Sequence, residues 1–356
     1  MARPPGRSTL SWLAETPPFR YGCRLMQVFR FIDPFTLVIV AAAILAGVAP
    51  PSREVAEALK PLTSIGVALV FFLHGARLSP TDVAKGLKQP RLHVATAALT
   101  YLAFPLLGLA LYPLINLTLG PDLARGFIFL AALPSTVQSS VSFVAIAGGH
   151  VAAAVAAASL SNLVGVVLTP VILTLTLHMP DAASDKGMLD AVAKIGLIIL
   201  LPFAIGQLSG RFLRPFLMQH RGSIGNVDRV VIAALVYQAV AQSVLGGVWD
   251  TLGVLPLLGV GGFSLVLLAL VVTLSRLVAK ALKLPREDAI VLSYCGSKKS
   301  LASGMPMLRV LYGDSPAAGT LALPIIIFHQ LQLIVFSQLA TRAGRLHAER
   351  AVQESP

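Results

Sequence analysis

Long apolar stretches alternate with short polar ones along most of this chain. A helix that crosses the hydrocarbon core of a bilayer needs roughly 20 apolar residues, and ten of these stretches approach or exceed that length. We number them segments 1 to 10, and they run over about 34–49, 61–77, 92–115, 124–147, 150–177, 190–210, 228–247, 253–281, 287–311 and 316–341. The pattern therefore predicts an all-α polytopic membrane protein.

Two of these segments, the fourth and the ninth, are interrupted by polar residues. Segment 4 contains PSTVQSSVS at 134–142, and segment 9 contains YCGSKKSLASGMP at 294–306. Charged groups and irregular backbone are tolerated at membrane depth only where they are buried in protein or line a cavity. Interrupted apolar segments at corresponding positions in the two halves of a chain are typical of transporter binding sites.

The composition supports the same class of protein. Of the 356 residues, 56% are hydrophobic and 12% are charged, whereas a soluble domain carries about 25% charged residues. The two cysteines, Cys23 and Cys295, are too few for a disulfide framework. The sequence therefore predicts one integral membrane domain with free thiols.

The net charge of +12 follows the topology of the predicted helices. If the N terminus is inside, 20 of the 28 Lys and Arg residues lie in inner loops and tails, six lie in outer loops, and Lys298 and Lys299 lie within segment 9. An excess of Lys and Arg on the cytoplasmic side is the usual orientation signal. We therefore expect a multi-pass protein of the inner (plasma) membrane, with both termini in the cytoplasm and no nucleic-acid partner.

The domain organisation follows from the number of segments. Ten segments divide into five plus five, and an odd number per half gives the two halves opposite orientations. We expect one transmembrane domain at 33–341, made of two inverted five-helix repeats at about 33–178 and 188–341, with segments 4 and 9 equivalent. Residues 1–32 are expected to form a basic cytoplasmic tail, for which Met26 is an alternative start. Residues 342–356 are expected to form a second cytoplasmic tail.

Polar side chains inside the apolar segments are the candidate binding residues. In segments 4, 5 and 9 they recur at spacings of three and four, so each set is predicted to share one helix face. The three sets are Ser135, Gln138, Ser139 and Ser142; Ser159, Asn162 and Thr169, with Ser161 beside them; and Ser293, Ser297, Ser300 and Gly304. Such residues either hold neighbouring helices together or bind a cation or an anionic substrate.

Segments 7 and 10 carry further polar candidates. Gln238 and Gln242 share a predicted face of segment 7, and His329 and Gln332 share one of segment 10. Amides inside a membrane usually bond to a neighbouring helix, and the alternative is that these side chains line the substrate cavity.

Lys298 and Lys299 lie inside segment 9, while the acidic residues lie near predicted helix ends or outside the segments. An ammonium at membrane depth pairs with an anion, reaches water or loses its proton. Three interpretations stay open: the lysines bind an anionic substrate, they face a water-filled vestibule, or one of them releases a proton during transport.

These motifs resemble the bile acid:sodium symporter superfamily and, within it, the SBF-like branch. The resemblance is carried by FFLHGARLS at 71–79, LPSTVQSS at 133–140, GGHV at 148–151, LTP at 168–170 and CGSKKSLA at 295–302. It covers about residues 26 to 341. It implies ten helices in two inverted repeats, arranged as a panel and a core, with helices 4 and 9 broken where they cross.

The resemblance also implies a substrate cavity between panel and core, near the crossing. It places sodium ligands at Ser139 and Ser140, with Ser161 or Asn162. The symporters carry a glutamate two residues before the motif glycine and a glutamine two residues after it. This chain has Tyr294 and Lys298 at those positions, so both of those sodium ligands are missing.

The leading hypothesis is therefore a secondary-active transporter of a small organic anion that works by alternating access. Its alternative is a proton-coupled or uncoupled carrier of the same fold, in which Lys298 replaces a sodium site. No cofactor is expected apart from Na⁺ or H⁺ as coupling ion, and the bilayer is the expected surrounding.

Two other classes of protein stay open from the sequence alone. The first is an intramembrane Ser–Lys hydrolase, with Ser297 or Ser300 as nucleophile and a lysine as base. The second is a membrane regulator that transports nothing. Because no oxyanion-hole signature accompanies the serines, we do not expect an enzyme.

Overall fold

The apolar segments fold into helices. A computed structural model describes residues 34–77, 89–177, 196–247, 253–313, 315 and 317–353, and the regular structure in these ranges is helical throughout. The helices are α1 (Pro34–Val48), α2 (Arg53–Arg77), α3 (Pro90–Leu119), α4 (Pro121–Ala132), α5 (Gln138–Ile146), α6 (Val151–Leu177), α7 (Leu201–Gln219), α8 (Arg221–Leu245), α9 (Val254–Ala281), α10 (Arg286–Gly296), α11 (Leu301–Tyr312) and α12 (Ala317–Gln353). A π-helical turn, Leu99–Ala103, lies inside α3, and another, Gly196–Leu200, precedes α7.

Segments 4 and 9 each consist of two short helices with a break between them. Residues 133–137 separate α4 from α5, and residues 297–300 separate α10 from α11. Within the described ranges, seven helices are long and apolar enough to cross a membrane: α2, α3, α6, α7, α8, α9 and α12. This arrangement agrees with a polytopic membrane protein.

Two helices extend well beyond the predicted segments. α2 begins at Arg53, and α12 continues to Gln353. The added stretches are polar, so hydropathy excludes them, but they consist largely of good helix formers. The predicted C-terminal tail at 342–356 is therefore helical as far as Gln353. The N-terminal tail at 1–32, the start at Met26, the surroundings of Cys23 and the beginning of segment 6 at 190–195 lie outside the described residues.

Four helices, α1, α2, α7 and α8, pack mainly against one another, and we call them the four-helix group. The backbones of α2 and α7 touch directly. A Cβ atom at Gly75 would overlap the carbonyl oxygen of Phe203, and one at Gly206 would overlap that of Phe72. Glycine is therefore required on both sides of this contact, as the small-residue spacing of Gly206 and Gly210 indicates.

The remaining helices form a second group, the main bundle, built around α4, α5, α10 and α11. α4 packs against α3, α6 and α12, and its apolar side chains are buried, with Phe129 and Leu130 fully so. α12 also packs against α9 and α11. The four-helix group meets the main bundle where α8 contacts α11 and α12.

One end of the main bundle is held together by Arg286, the first residue of α10. Its guanidinium donates to the carbonyls of Ala147 at 3.1 Å, Gly148 at 3.4 Å and Ala343 at 3.2 Å. Gly148 has a φ of +70°, a left-handed conformation that favours glycine at the end of α5. These bonds connect the ends of α5 and α10 to α12.

Candidate functional site

The two interrupted segments meet at their breaks. The backbone N–H of Ser300 donates to the carbonyl of Pro134 at 2.9 Å, and the Ser140 hydroxyl donates to the carbonyl of Tyr294 at 3.1 Å. The backbone groups that the breaks release are thus partly satisfied by the opposite segment. The meeting point, which we call the crossing, lies inside the main bundle.

The local sequence explains where each break falls. Pro134 has no N–H to continue α4, and it restricts the preceding residue to extended conformations. Leu133 accordingly has φ −67° and ψ 152°. In segment 9 the Ser300 side chain accepts from the N–H of Ser303 at 3.2 Å, so it starts α11 as an N-cap.

Lys299 is buried in the crossing, with 1% of its surface exposed. Its Nζ donates to the carbonyls of Thr100 at 2.8 Å, Ala131 at 2.7 Å and Leu133 at 2.7 Å. Three acceptors match the three hydrogens of an ammonium group. The Phe104 ring lies 4.2 Å from Nζ and adds a cation–π contact.

These three carbonyls are available because helical bonding is interrupted at each of them. Ala131 and Leu133 lie at the C-terminal end of α4, where carbonyls lack helical partners and the helix dipole is negative. In the π-turn of α3, bonds run from residue i+5 to residue i, as from the N–H of Phe104 to Leu99. Thr100 would accept from residue 105, which is proline and has no N–H. The protein therefore provides a site for one cation, and Lys299 fills it.

The backbone of Lys299 is held as firmly as its side chain. Its N–H donates to Oε1 of Gln332 at 2.9 Å, and its carbonyl accepts from Nε2 of the same amide at 2.7 Å. Nε2 also lies 2.9 Å from Nδ1 of His329. Because the amide nitrogen can only donate, Nδ1 must accept, which leaves His329 neutral with its hydrogen on Nε2.

Lys298 is fully buried but has far fewer polar contacts. Its Nζ donates to the hydroxyl of Ser139 at 2.6 Å and lies 4.4 Å and 5.9 Å from the ring centres of Phe143 and Phe336. Tyr294 packs against both of these rings. No carboxylate of the described residues forms an ion pair with Lys298. In the described conformation neither Lys298 nor Lys299 faces a water-filled vestibule.

A chain of hydroxyl groups leads from Lys298 through the start of α5 and the break that precedes it. Ser139 donates to Oγ1 of Thr136 at 3.1 Å, and Thr136 and Ser140 are joined by a bond of 3.0 Å. Ser139 is half-buried, whereas the adjacent Gln138 and, one turn further along, Ser142 are exposed. Because Ser140 in turn donates to the carbonyl of Tyr294, the chain ends on buried groups of the crossing.

α6 holds the broken backbone of segment 4. The N–H of Ser135 donates to Oγ of Ser161 at 3.1 Å, and the carbonyl of Ser135 accepts from Nδ2 of Asn162 at 2.8 Å. Oδ1 of Asn162 accepts from the Ser303 hydroxyl at 3.1 Å, which joins α6 to α11. Thr169 donates to the carbonyl of Ala132 at 2.8 Å.

Two of the oxygen atoms expected to bind sodium already accept hydrogen bonds from the protein. Oγ of Ser139 accepts from the ammonium of Lys298, and Oδ1 of Asn162 accepts from Ser303. A sodium ion at Ser139 would lie within a few ångströms of a like charge in a low dielectric, which is strongly unfavourable. The site that suits a monovalent cation is the carbonyl site, and it holds Lys299.

Several candidate residues are not brought together. Across the break, Ser293, Ser297, Ser300 and Gly304 do not share a face, because the helix ends at Gly296. Ser293 bonds to Ser275 at 2.9 Å, and Oγ of Ser297 is buried without a partner. Ser135 likewise precedes α5 and does not share the face of Gln138 and Ser142. The structure contains no bond from Ser297 or Ser300 to a lysine among the described residues, as a Ser–Lys hydrolase would require.

A narrow cleft separates the crossing from the four-helix group, and we call it the central cleft. Its walls are Phe71, His74 and Phe203 on one side and Pro134, Asn162, Val166, Ser303 and Met307 on the other. The Nδ1 atom of His74 bonds to the carbonyl of Val70 at 2.8 Å. Gln238 and Gln242 lie elsewhere, in a second cleft beside α11.

Several residues of the site are not predicted by the sequence pattern. They are Thr100, through its carbonyl, Phe143 and Phe336, through their rings, and Ser303. Only Thr100 had a readable signal, because Pro105 follows it at the distance of one π-turn. The rings lie on different helices and are indistinguishable in sequence from other lipid-facing or core aromatics.

Comparison with known proteins identifies the relatives of this chain. The model of the SBF-like CPA transporter family matches residues 33–345. The chain is 42% identical to "Uncharacterized protein PA2026" of Pseudomonas aeruginosa, over 92% of this chain and 98% of the relative. It is 38% identical to "Putative symporter YfeH" of Escherichia coli, over 93% and 98%. It is 26% identical to "Sodium/bile acid cotransporter 7" of Danio rerio, over 78% and 82%.

Proposed function

The chain belongs to the SBF-like CPA transporter family, and from this membership we propose that it is a secondary-active transporter of a small organic anion that works by alternating access. The family and its named relatives already make it a multi-pass membrane transporter of the sodium/bile acid symporter type, and not an enzyme. The substrate class, the coupling and the mechanism are our proposals. The observation that carries them is the pair of broken helices that meet around two buried lysines.

The proposed architecture is ten spanning segments in two inverted repeats. In support, each half of the chain contributes its first two segments to the four-helix group, as α1 and α2 and as α7 and α8. Each half also contributes its fourth segment, broken near the middle, to the crossing. We identify the four-helix group with the panel and the main bundle with the core. The protein is proposed to lie in the inner (plasma) membrane, with both termini in the cytoplasm.

The substrate is proposed to bind at the central cleft, beside the crossing. The cleft combines aromatic walls, Phe71 and Phe203, with the polar groups of Asn162 and Ser303. Small-molecule sites typically pair apolar walls with a few polar groups that fix orientation. The positive charge of Lys298, which the described residues do not neutralise, favours an anion near the crossing.

The two lysines are proposed to replace a coupling ion, and each has a different role. Lys299, with three carbonyl acceptors, acts as a permanent built-in cation. Lys298, with one hydroxyl acceptor, is the group whose charge is balanced during the cycle, either by pairing with the anionic substrate or by losing its proton. Both routes give transport without an absolute requirement for sodium.

The direction in which the described conformation opens also supports alternating access. The apolar side chains of α4 and most of α11 are buried, whereas α5 exposes Gln138 and Ser142. α5 forms the half of segment 4 nearer the proposed cytoplasmic side. The conformation is therefore interpreted as inward-facing, and rotation of the core against the panel would cover α5 and open the opposite side.

Uptake into proteoliposomes tests this proposal. Taurocholate is the first probe, because animal relatives are named sodium/bile acid cotransporters; a thermal-shift screen of organic anions in sodium and in potassium supplies further probes. We expect wild-type uptake to persist when choline replaces sodium and to vary with pH. Uptake by the Lys298→Gln variant should no longer vary with pH and should become dependent on sodium. Wild-type uptake that vanishes without sodium and ignores pH would contradict the role given to Lys298.

A further inference from the structure

One exposed face of α9 changes from apolar to basic towards the end of the helix. Leu265 and Leu270 lie on this face, and Arg276 and Lys280 continue it at helical spacing. The apolar span Leu255–Ala281 has 27 residues and is about 40 Å long, which matches a bilayer together with its headgroup regions. Acyl chains therefore cover the apolar part of the face, and the two cations lie at the level of the headgroups.

A third cation, Lys283, follows directly after α9, and we call Arg276, Lys280 and Lys283 the basic edge. All three side chains are exposed. None of them forms an ion pair or a side-chain hydrogen bond with any residue that the structure describes. The carboxylate of Asp288, in the next helix, pairs with His150 at 3.4 Å instead. The three positive charges are therefore balanced by anions from outside the protein.

The backbone of Lys283 adds an independent observation. Its φ is +49°, a left-handed conformation that favours glycine, and no other non-glycine residue in the described ranges has a positive φ. Its N–H donates to the carbonyl of Lys280 at 3.1 Å, and that of Leu284 donates to Ala279 at 3.0 Å. Glycine is the usual residue at such a helix end. A lysine there strains the backbone, and binding by its ammonium group explains the strain.

We propose that the basic edge binds the headgroup of an anionic phospholipid in the surrounding bilayer. The phosphate oxygens accept from the guanidinium of Arg276, which fits a phosphate through two parallel N–H bonds, and from the ammonium groups of Lys280 and Lys283. An acyl chain of the same lipid lies against Leu270 and Leu277, which are exposed on the same face. Both the charge of the headgroup and the chain therefore contribute to binding.

Thermal unfolding of the purified full chain in a neutral detergent tests the proposal. We expect dioleoylphosphatidylglycerol to raise the melting temperature, whereas dioleoylphosphatidylcholine at the same mole fraction raises it much less. Glycerol 3-phosphate, which has the phosphate but no acyl chains, should not replace the lipid. Each basic residue near an anionic surface strengthens binding by roughly fivefold. Lys283→Gly should therefore need about fivefold more phosphatidylglycerol for half of the shift, although it melts higher than wild type without lipid.

A matched pair of triple variants separates a site from a general effect of charge. Arg276, Lys280 and Lys283 are changed to glutamine in one variant. The control changes Arg91, Arg342 and Arg345, three exposed arginines of α3 and α12 without ion pairs among the described residues. We expect the first variant to lose the response to phosphatidylglycerol and the control to keep it.

Four results would overturn the proposal. They are an equal response of wild type to the two lipids, the same shift with glycerol 3-phosphate, an equal loss of response in the control, and an unchanged lipid requirement in Lys283→Gly. Because Lys283→Gly relieves a strained backbone, it is expected to fold even if the triple variants do not, so the test does not depend on them.

Discussion

At the scale of single residues, the ammonium of Lys299 donates to three carbonyls, whereas that of Lys298 donates to one hydroxyl and otherwise faces aromatic rings. The two groups are neighbours in sequence and equally buried. Removing a charge is costly where its partners are left unsatisfied, and it is tolerated where few partners exist. The two lysines should therefore differ in what their removal does.

Replacing each lysine by methionine separates these roles. Lys299→Met leaves three buried carbonyls without a donor, at roughly 1–3 kcal/mol each, so we expect loss of the folded protein or a strongly lowered melting temperature. Lys298→Met should keep or raise the melting temperature while it abolishes uptake. Thermal unfolding in detergent and proteoliposome uptake of taurocholate measure the two effects. Equal destabilisation by both changes would contradict the distinction.

The carbonyl site can also be tested by refilling it. A Lys299→Ala variant leaves space beside three carbonyls, and a small cation supplied in solution should occupy it. We expect methylammonium chloride to raise the melting temperature of this variant above its value in choline chloride, because choline is too large to enter. Wild type should be unaffected by the exchange. No difference between the two salts in Lys299→Ala would argue against a cation-sized site.

Two serines of the crossing are expected to respond differently. Ser139→Val removes the hydroxyl that accepts from Lys298, so uptake should fall while the melting temperature changes little. Ser300→Val removes the N-cap of α11, which costs about 1 kcal/mol, so stability should fall as well. Uptake and thermal unfolding are measured in parallel for both variants. A stability loss in Ser139→Val equal to that in Ser300→Val would favour a packing role for both.

At the scale of helices, hydropathy locates the segments but not their breaks or their ends. The positions of α3, α6 and α9 follow from runs of apolar residues. The start of α2 and the end of α12 do not, because helix formers there are polar. The sequence also does not show which prolines interrupt a helix. Pro61 and Pro170 lie inside helices, whereas Pro134 lies in a break. The deciding contacts, such as those from α6 to Ser135, are distant in sequence.

The direct contact between α2 and α7 gives a prediction about helix packing. A Gly206→Ala change places a Cβ against the carbonyl of Phe72, which neither backbone can avoid without moving, so we expect destabilisation of about 1–3 kcal/mol. Gly261→Ala on α9 is the control, because nothing lies within 4 Å of the added atom. There the better helix propensity of alanine should stabilise by up to about 1 kcal/mol. Similar melting temperatures for the two variants would contradict direct backbone contact.

At the scale of the whole molecule, the division into a four-helix group and a main bundle determines which motions are available. The family resemblance implies a panel and a core, but the side chains at their interface cannot be read from the sequence. The reason is that the carbonyl site and both clefts are made by groups far apart in the chain. Of the three carbonyls that bind Lys299, only that of Thr100 has a side-chain signal in the sequence, which is Pro105.

Cross-linking tests whether the two groups move against each other. Phe203→Cys and Met307→Cys lie on opposite walls of the central cleft, so a bifunctional thiol reagent that joins them should stop uptake. Gly66→Cys with Val231→Cys joins α2 to α8 within the four-helix group, where those residues are in contact, and should leave uptake intact. Uptake that survives the first cross-link would mean that the groups do not separate during transport.

The binding of Lys299 by three carbonyls also sets an order of events during biosynthesis. Thr100, Ala131 and Leu133 belong to segments 3 and 4, which leave the ribosome well before segment 9. On the scale of membrane insertion, a lysine at the centre of a helix costs roughly 2.5–3.5 kcal/mol, and segment 9 carries two. Segment 9 is therefore unfavourable in the bilayer before it contacts the other segments. Segments 3 and 4 already present the three carbonyls that bind the ammonium of Lys299. Their assembly therefore makes the insertion of segment 9 favourable.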